Sequence, residues 1–381
     1  MNPNQESPSE LLSYCRVGFE LDAHWELAEF VSKVSKDLKF EQWDTGPGYV
    51  LASKPSRPIT QSEWRSLLSE SLIFSRAQFQ TLDHCEHLPE KNKLDAILRQ
   101  AIPLLIQQNI ASLSEVIVEA PNTEDKEDLG RFCTMFLPHA TKALEKQSLI
   151  QKQGMASLRL VFLSYEKALI ALGLPNVPAL GIHRIRFDAA SPSRSWLKIA
   201  EAMETMLSPH EKKRRLKSGM SAVDMGAAPG GWTYFLAKEG LKVWAIDRAK
   251  LAPKVASMDS VIHMETNAFQ FRPPKGQVDW VVCDMVDDPK QVLGLMRQWL
   301  HEGWCKQALF NLKLPDHKRF QNSKALLAEL NLKLNGKSKQ WNIKARQLYH
   351  DRREITVLVT PFVTNQGGQD RVKRSSKNKR K

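Results

Sequence analysis

Apolar positions along the chain fall into two recurring periods, one near 3.6 residues and one of 2, and their succession predicts a mixed α/β protein. Leu11 to Arg16 reads as a strand, followed by Trp25, Leu27, Phe30, Val31, Val34 and Leu38 at helical spacing. Tyr49 to Ala52 reads as a strand, Glu63 to Ser69 as a short helix and Leu72 to Gln80 as another strand. A second set has helical spacing over Leu94 to Gln108, alternation over Glu115 to Glu119, a helix over Leu129 to Leu149 and an extended run at Leu158 to Leu163. Leu174 to His183, with Pro175, Pro178 and Gly181, breaks both periods and is the expected domain border.

Beyond residue 180 strand and helix alternate more regularly. Ser195 to Leu207 is helical, Ala222 to Met225 a strand, Trp232 to Lys238 a helix and Val243 to Ile246 a strand. Val278 to Cys283, Val292 to Leu300, Gln307 to Leu312 and Phe320 to Leu334 continue as strand, helix, strand and helix. Two last strands, Ile343 to Tyr349 and Ile355 to Val359, suggest a hairpin at one edge of an otherwise parallel sheet. Ligands of such sheets bind where strand order reverses, at the carboxyl ends of the strands.

Composition narrows the function classes. A hydrophobic fraction of 42% over 381 residues supplies ample core for two or three domains, so wholesale disorder is excluded. The polar start and the lack of a long apolar run suggest a cytoplasmic protein with no membrane association. Cys15, Cys85, Cys133, Cys283 and Cys305 are scattered and lack a CxxC pair, which argues against disulfide or zinc chemistry. The net charge of +13 favours a polyanionic partner, but seven Lys or Arg lie within the last eleven residues, so the body is only mildly basic. That tail is read as disordered, either solubilising or adding non-specific RNA affinity.

Val223-Asp224-Met225-Gly226-Ala227-Ala228-Pro229-Gly230-Gly231-Trp232 places small residues between a strand and a helix, where backbone N–H groups approach a ligand. The dinucleotide pattern GxGxxG is absent, which disfavours a nicotinamide enzyme. Asp247 ends the next strand, 21 residues after Gly226, where a carboxylate can accept both hydroxyls of a ribose.

The stretch DMGAAPGGWTYFL resembles motif I of S-adenosylmethionine-dependent methyltransferases of the FtsJ type, which methylate RNA at the ribose 2′-OH. SPSRSWLKIAEA, VVCDMV, FNLKLP and DRREITVLV resemble the rest of that site in the correct order. With GFELDAHWELAEF near the start and RQLYHDRREITV near the end, nearly the whole chain is similar to the ribosomal RNA large subunit methyltransferase M family. The resemblance implies an α/β fold, with a Rossmann-like S-adenosylmethionine-dependent methyltransferase sheet and an N-terminal mixed α/β, THUMP-like region. The implied division is an α/β subdomain at 1–90, a THUMP-like RNA-binding subdomain at 91–180, the methyltransferase domain at 181–364 and the basic tail at 365–381. The implied reaction is 2′-O-methylation of one cytidine in the peptidyltransferase region of 23S rRNA, naked or in a large-subunit precursor. The implied protein is a cytoplasmic monomer that takes S-adenosyl-L-methionine, releases S-adenosyl-L-homocysteine, needs no metal and binds no DNA.

Matched motif by motif, the family's catalytic tetrad falls on Lys198, Asp284, Lys313 and Glu354. Lys313 is the expected proton acceptor, Asp284 and Glu354 orient the two ammonium groups, and Lys198 also steers the hydroxyl. The implied cofactor contacts are Ser195, Ala228, Pro229, Gly230, Gly231, Asp247, Asn267 and Asp284. Asn267 stands where the family usually has an acid, and Ala228 replaces a cysteine found in some relatives. Asp284-Met285-Val286-Asp287 lacks the D/N-P-P-Y-like pattern of base-nitrogen methyltransferases, and Cys283 reads as a core thiol rather than a cytosine-attacking nucleophile.

RNA contacts are encoded less sharply. Trp25, Phe30, Trp43, Trp64, Phe74 and Phe79 sit mostly at core-periodic positions. Arg184, Arg186, Arg194, Lys212, Lys213, Arg214 and Arg215 are candidate phosphate contacts, the last four being equally readable as a solvated basic face. A methyltransferase for another RNA and a non-catalytic RNA-binding or ribosome assembly factor are the competing readings.

Overall fold

The computed structural model describes residues 9–121, 127–273, 276–335 and 340–362. The basic tail lies outside the described residues. The described residues form two compact units, one within 9–186 together with Pro315–Asn322 and Arg346–Arg352, the other within Phe187–Leu314 together with Ser323–Ala345 and 353–362. Among the described residues no helix is long and apolar enough to cross a membrane.

The first unit is built on β1 (Glu10–Tyr14), α1 (Glu20–Val34), β2 (Phe40–Gly46), β3 (Tyr49–Pro55), α2 (Gln61–Ser69), β4 (Ala77–Cys85), α3 (Lys93–Gln107), β5 (Leu113–Glu119), α4 (Glu127–Lys146), β6 (Ala156–Phe162) and β7 (Ala168–Gly173). One seven-stranded sheet, in the order β2-β3-β1-β4-β7-β6-β5, runs through it, antiparallel except for the β5/β6 pair. α2 starts at a capping box: the hydroxyl of Thr60 accepts from the Glu63 N–H, and the Glu63 carboxylate accepts from the Thr60 N–H.

Three features depart from the apolar pattern. The polar β2 buries only Phe40 and sits at the sheet edge, while β7 is buried at every position and so shows no alternation. The strand expected at Leu72 to Gln80 begins instead at Ala77, because the buried Glu26 carboxylate gathers the N–H groups of Ile73, Phe74 and Ser75 at 2.6, 2.8 and 3.1 Å. Burial pushes the Glu26 carboxyl up to about 7 against those three hydrogen bonds. Trp64, Phe74 and Phe79 are core residues as expected, but Trp25 is 48% exposed and stands beside His24, which packs edge-on against Trp43.

The second unit comprises α5 (Trp196–Thr205), α6 (Pro209–Arg215), β8 (Ser221–Met225), α7 (Gly231–Lys238), β9 (Lys242–Ile246), α8 (Pro253–Ala256), β10 (Val261–Met264), β11 (Val278–Cys283), α9 (Pro289–His301), β12 (Cys305–Lys313), α10 (Arg319–Leu334, whose first residues belong to the first unit), β13 (Trp341–Arg346) and β14 (Glu354–Pro361). Strand order is β10-β9-β8-β11-β12-β14-β13. The first five strands are parallel and β14 runs antiparallel to β12. This is a Rossmann-like sheet, with the order reversing between β8 and β11. Arg215 corrects the reading of the basic run: it is 7% exposed, with Nη1 on Gln307 Oε1 at 3.1 Å and its carbonyl accepting from Trp280 Nε1 at 2.9 Å. It anchors α6 to the sheet instead of facing phosphate.

Arg159 is wholly buried in the first unit, 3.6 Å from the Glu119 carboxylate and stacked over Phe79. Arg159→Met alone is expected to cost about 3–5 kcal/mol in urea unfolding of the full chain, because it strands the buried Glu119 charge. Adding Glu119→Gln is expected to restore a substantial part of that loss. Wild-type stability of the single variant would contradict this account.

Candidate active site

The reversal of strand order sets the site. β8 and β11 are adjacent and parallel, so their carboxyl ends open the sheet at Gly226 on one side and Asp284 on the other. Gly226 has φ +73°, and a Cβ there would lie 2.2 Å from Met285 Cγ, so the close approach of the loops requires glycine. Gly231 opens α7, and a Cβ on it would fall 2.3 Å from Ser195 Oγ and 2.4 Å from Ser193 Oγ. Those two hydroxyls are 2.7 Å apart, and the Ser195 carbonyl accepts from Trp232 Nε1 at 2.9 Å. Ser195, Ala228, Pro229, Gly230 and Gly231 therefore belong to one loop cluster.

Asp247, at the end of β9, fastens that cluster. Its two carboxylate oxygens accept from the N–H groups of Ala228 and Ala249, each at 2.9 Å. Each oxygen keeps a second lone pair for a ligand hydroxyl. Asn267, beyond β10, turns its side-chain oxygen onto the N–H of Phe269 at 3.1 Å and caps a local turn.

Asp224 went unread as a site residue in the sequence. It is 1% exposed in β8 and accepts from the Thr233 hydroxyl at 2.6 Å. Burial pushes its carboxyl up to about 7, against the Thr233 bond and with further upward push from Asp284 and Asp247. Asp224, Asp247 and Asp284 gather at one end of the sheet; the raised Asp224 carboxyl gives up part of its charge near neutrality and Asp284 is paired with Lys198, and the modest negative potential that remains suits a cationic ligand. Among the described residues no group of His, Cys, Asp or Glu is arranged to hold a metal ion.

The four tetrad positions come together beside that edge. Lys198 Nζ lies 2.7 Å from Glu354 Oε1 and 3.1 Å from Asp284 Oδ1. Lys313 Nζ donates to Glu354 Oε2 at 2.9 Å. Glu354 is therefore shared, one oxygen to each lysine, with the Arg353 N–H donating to Oε2 at 3.0 Å as well. The register explains the arrangement: in the β12/β14 pair Lys313 stands opposite Glu354 and Asn311 opposite Thr356. Because side chains alternate along a strand, Asn311 and Lys313 share a face, and a slip of one residue would remove both partners.

Asn311 and Thr356 are the contacts that motif matching misses. The Thr356 hydroxyl donates to Asn311 Oδ1 at 2.8 Å, and Asn311 Nδ2 donates to Asp284 Oδ1 at 2.7 Å. An asparagine directly after the apolar run Ala308 to Phe310 and two residues before Lys313 was the available signal. Exposure grades the tetrad: the Glu354 side chain is 2% accessible, Lys198 and Asp284 15%, and Lys313 28%, so Lys313 is the member most open to an incoming substrate. Cys283 is buried and its thiol is pushed up by burial, as a core thiol would be.

Residues 192–313 match the FtsJ-like methyltransferase family. Together with the sheet and its loop cluster, that match makes the second unit a methyltransferase of the FtsJ-like class. Over its length the chain is 39% identical to ribosomal RNA large subunit methyltransferase M of Alkalilimnicola ehrlichii, across 91% of this chain and 93% of that protein. It is 35% identical to the protein of the same name from Pasteurella multocida, across 92% of this chain and 98% of that one. The chain belongs to the ribosomal RNA large subunit methyltransferase M family.

The Glu354 carboxyl is the site's clearest titration probe. Burial alone would raise it, but Lys198 and Lys313 more than offset this and hold it at about 2, below its ordinary 4.5. Its contribution to stability is complete above about pH 4.5 and lost as pH falls toward 2. Glu354→Gln is expected to flatten the dependence of unfolding free energy on pH across that interval; a slope equal to wild type would contradict the ion-pair account.

Proposed function

We propose that this chain transfers a methyl group from S-adenosyl-L-methionine to the ribose 2′-OH of a cytidine in the peptidyltransferase region of 23S rRNA, in the cytoplasm and as a monomer. The observation that carries the reading is the shared Glu354 carboxylate, which brings Lys198 and Lys313 together beside Asp284. Membership of the family supports ribosomal RNA as substrate.

Ser195, the Ala228-Pro229-Gly230-Gly231 turn, Asp247, Asn267 and Asp284 would hold the methyl donor, and the negative potential around Asp224, Asp247 and Asp284 suits its cationic end. When bound, S-adenosylmethionine supplies an electrophilic methyl carbon on a sulfonium centre. The remaining work belongs to this chain. Once its nitrogen has given up a proton to solvent, Lys313 would take the 2′-OH proton on Nζ while the ribose oxygen bonds the methyl carbon and the carbon–sulfur bond breaks, its electron pair leaving on the neutral thioether sulfur. Glu354 keeps that nitrogen at a fixed place through its 2.9 Å contact and remains ionised, so it orients without competing for the proton. Lys198 donates toward the ribose oxygen, and Asp284, held by Asn311, fixes Lys198 in turn. A binding or assembly factor has no chemical use for two lysines bridged by a buried carboxylate, which favours the enzyme over that alternative.

The test is transfer of labelled methyl groups to deproteinised 23S rRNA that lacks its own modification, followed by mass mapping of the product. Wild type is expected to yield 2′-O-methylcytidine, and Lys313→Ala is expected to lose about 10²–10⁴-fold in rate while still binding the methyl donor. Methylation of a base, or an undiminished rate in the variant, would contradict the assignment.

A further inference from the structure

A cavity of about 380 Å³ lies wholly within the first unit, and its charged lining is cationic. Arg16, Arg76 and Arg184 line it with Tyr349 and His350, and no aspartate or glutamate is among its lining residues. The nearby Glu20 carboxylate accepts the N–H groups of Gly18 and Gly48 on Oε1 alone, at 3.1 and 2.8 Å, and keeps its charge; with Asp22 and Glu26 it acts electrostatically on Cys15 without lining the cavity. Burial raises the Cys15 thiol, so it brings no negative charge.

The cavity walls are fixed by named contacts. Arg16 Nη1 donates to the Tyr349 carbonyl at 3.0 Å, and the Arg76 guanidinium stands 5.3 Å from the Tyr349 ring centre. Arg346 Nη2 donates to the Arg76 carbonyl at 2.7 Å. Leu180, on another wall, is held through its N–H by Glu119 Oε2 at 2.6 Å, and buried Arg159 holds the carbonyls of Val177 and Pro178 just before it. The segment expected as the domain border is thus anchored from the core of the first unit. Arg184, four residues after Leu180, is exposed and makes no hydrogen bond or ion pair among the described residues.

Guanidinium forks match phosphate oxygens, and an aromatic ring offers a stacking face to a base. The volume exceeds what a phosphate alone needs and falls within the usual range for a small organic ligand. We infer that this pocket receives one nucleotide of the RNA substrate other than the methylated one, with its phosphate at Arg16 and Arg184 and its base against Tyr349. The inference rests on the RNA-methyltransferase reading above, which leaves open how the first unit grips RNA.

The probe is a short fluorescein-labelled single-stranded oligoribonucleotide titrated with full-length protein at several salt concentrations. Arg184→Glu is expected to weaken binding at least about tenfold and to lower the salt slope by about 1 or more, whereas Arg184→Lys retains most of the affinity. Tyr349→Leu is expected to weaken binding about tenfold with little change in salt slope, because stacking carries no counterion release. Lys91→Glu, an equal charge change on the exposed surface of the same unit, serves as control and is expected to change affinity less than about twofold. Methyl-donor binding by each variant checks folding, and Arg184→Gln replaces Arg184→Glu if the latter fails it. Equal losses for Arg184→Glu and Lys91→Glu, or wild-type affinity in both pocket variants, would overturn the pocket. Wild type that binds the oligonucleotide with the expected variant pattern yet methylates no ribosomal RNA would overturn the proposed reaction and leave the pocket standing.

Discussion

One buried carboxylate shared by two ammonium groups holds the candidate site together. Glu354 is almost wholly removed from water, a place where a lone charge is costly, and it stays ionised because Lys198 and Lys313 each take one of its oxygens. Neither lysine reaches it by local sequence: Lys198 comes from α5, and Lys313 stands across the β12/β14 ladder. The antiparallel insertion of β14 beside β12 is therefore the structural condition for this cluster. The same register brings Asn311 to Thr356 and so passes a fixed orientation on to Asp284.

At the neighbouring strand ends a different electrostatic arrangement prevails. Asp224, Asp247 and Asp284 gather where the sheet reverses order, and no described cation neutralises Asp224, whose carboxyl rises instead. With Asp284 paired to Lys198 in the charge-balanced tetrad, Asp247 and Asp224 are left to give the neighbouring strand ends their negative potential. In the proposed reaction one place would attract a cationic methyl donor, and the other would position a hydroxyl and take its proton. Asp284, bonded to Lys198 and Asn311, stands where the two places meet.

Much of this was legible in the sequence, for identifiable reasons. The second unit alternates strand and helix with apolar strands and clear breakers, and each expected element there overlaps an observed one. The loop from Gly226 to Gly231 announced itself because tight approach of backbone to neighbour admits no side chain. The first unit was harder. Polar β2 lies at an edge and β7 is buried on both faces, so neither carries the alternation that marks a half-buried strand. β4 was displaced because Glu26, a charged residue inside a helix, captures three backbone N–H groups that apolar periodicity would assign to a strand. In the site, motif matching named the charged groups but passed over Asn311 and Thr356, whose function depends on cross-strand register. Arg215 shows the converse: a run of basic residues reads as surface until the fold buries one of them.

The central claim is that Glu354 acts through the lysines it bridges. A double-mutant cycle on the single-turnover methyl-transfer rate tests it directly, using wild type, Lys313→Ala, Glu354→Gln and the double variant. If the groups form one unit, the double variant's rate lies within about tenfold of Lys313→Ala alone, far short of the product of the two separate losses. Losses that multiply in full would contradict the account, because they would mean that the carboxylate and the lysine contribute independently.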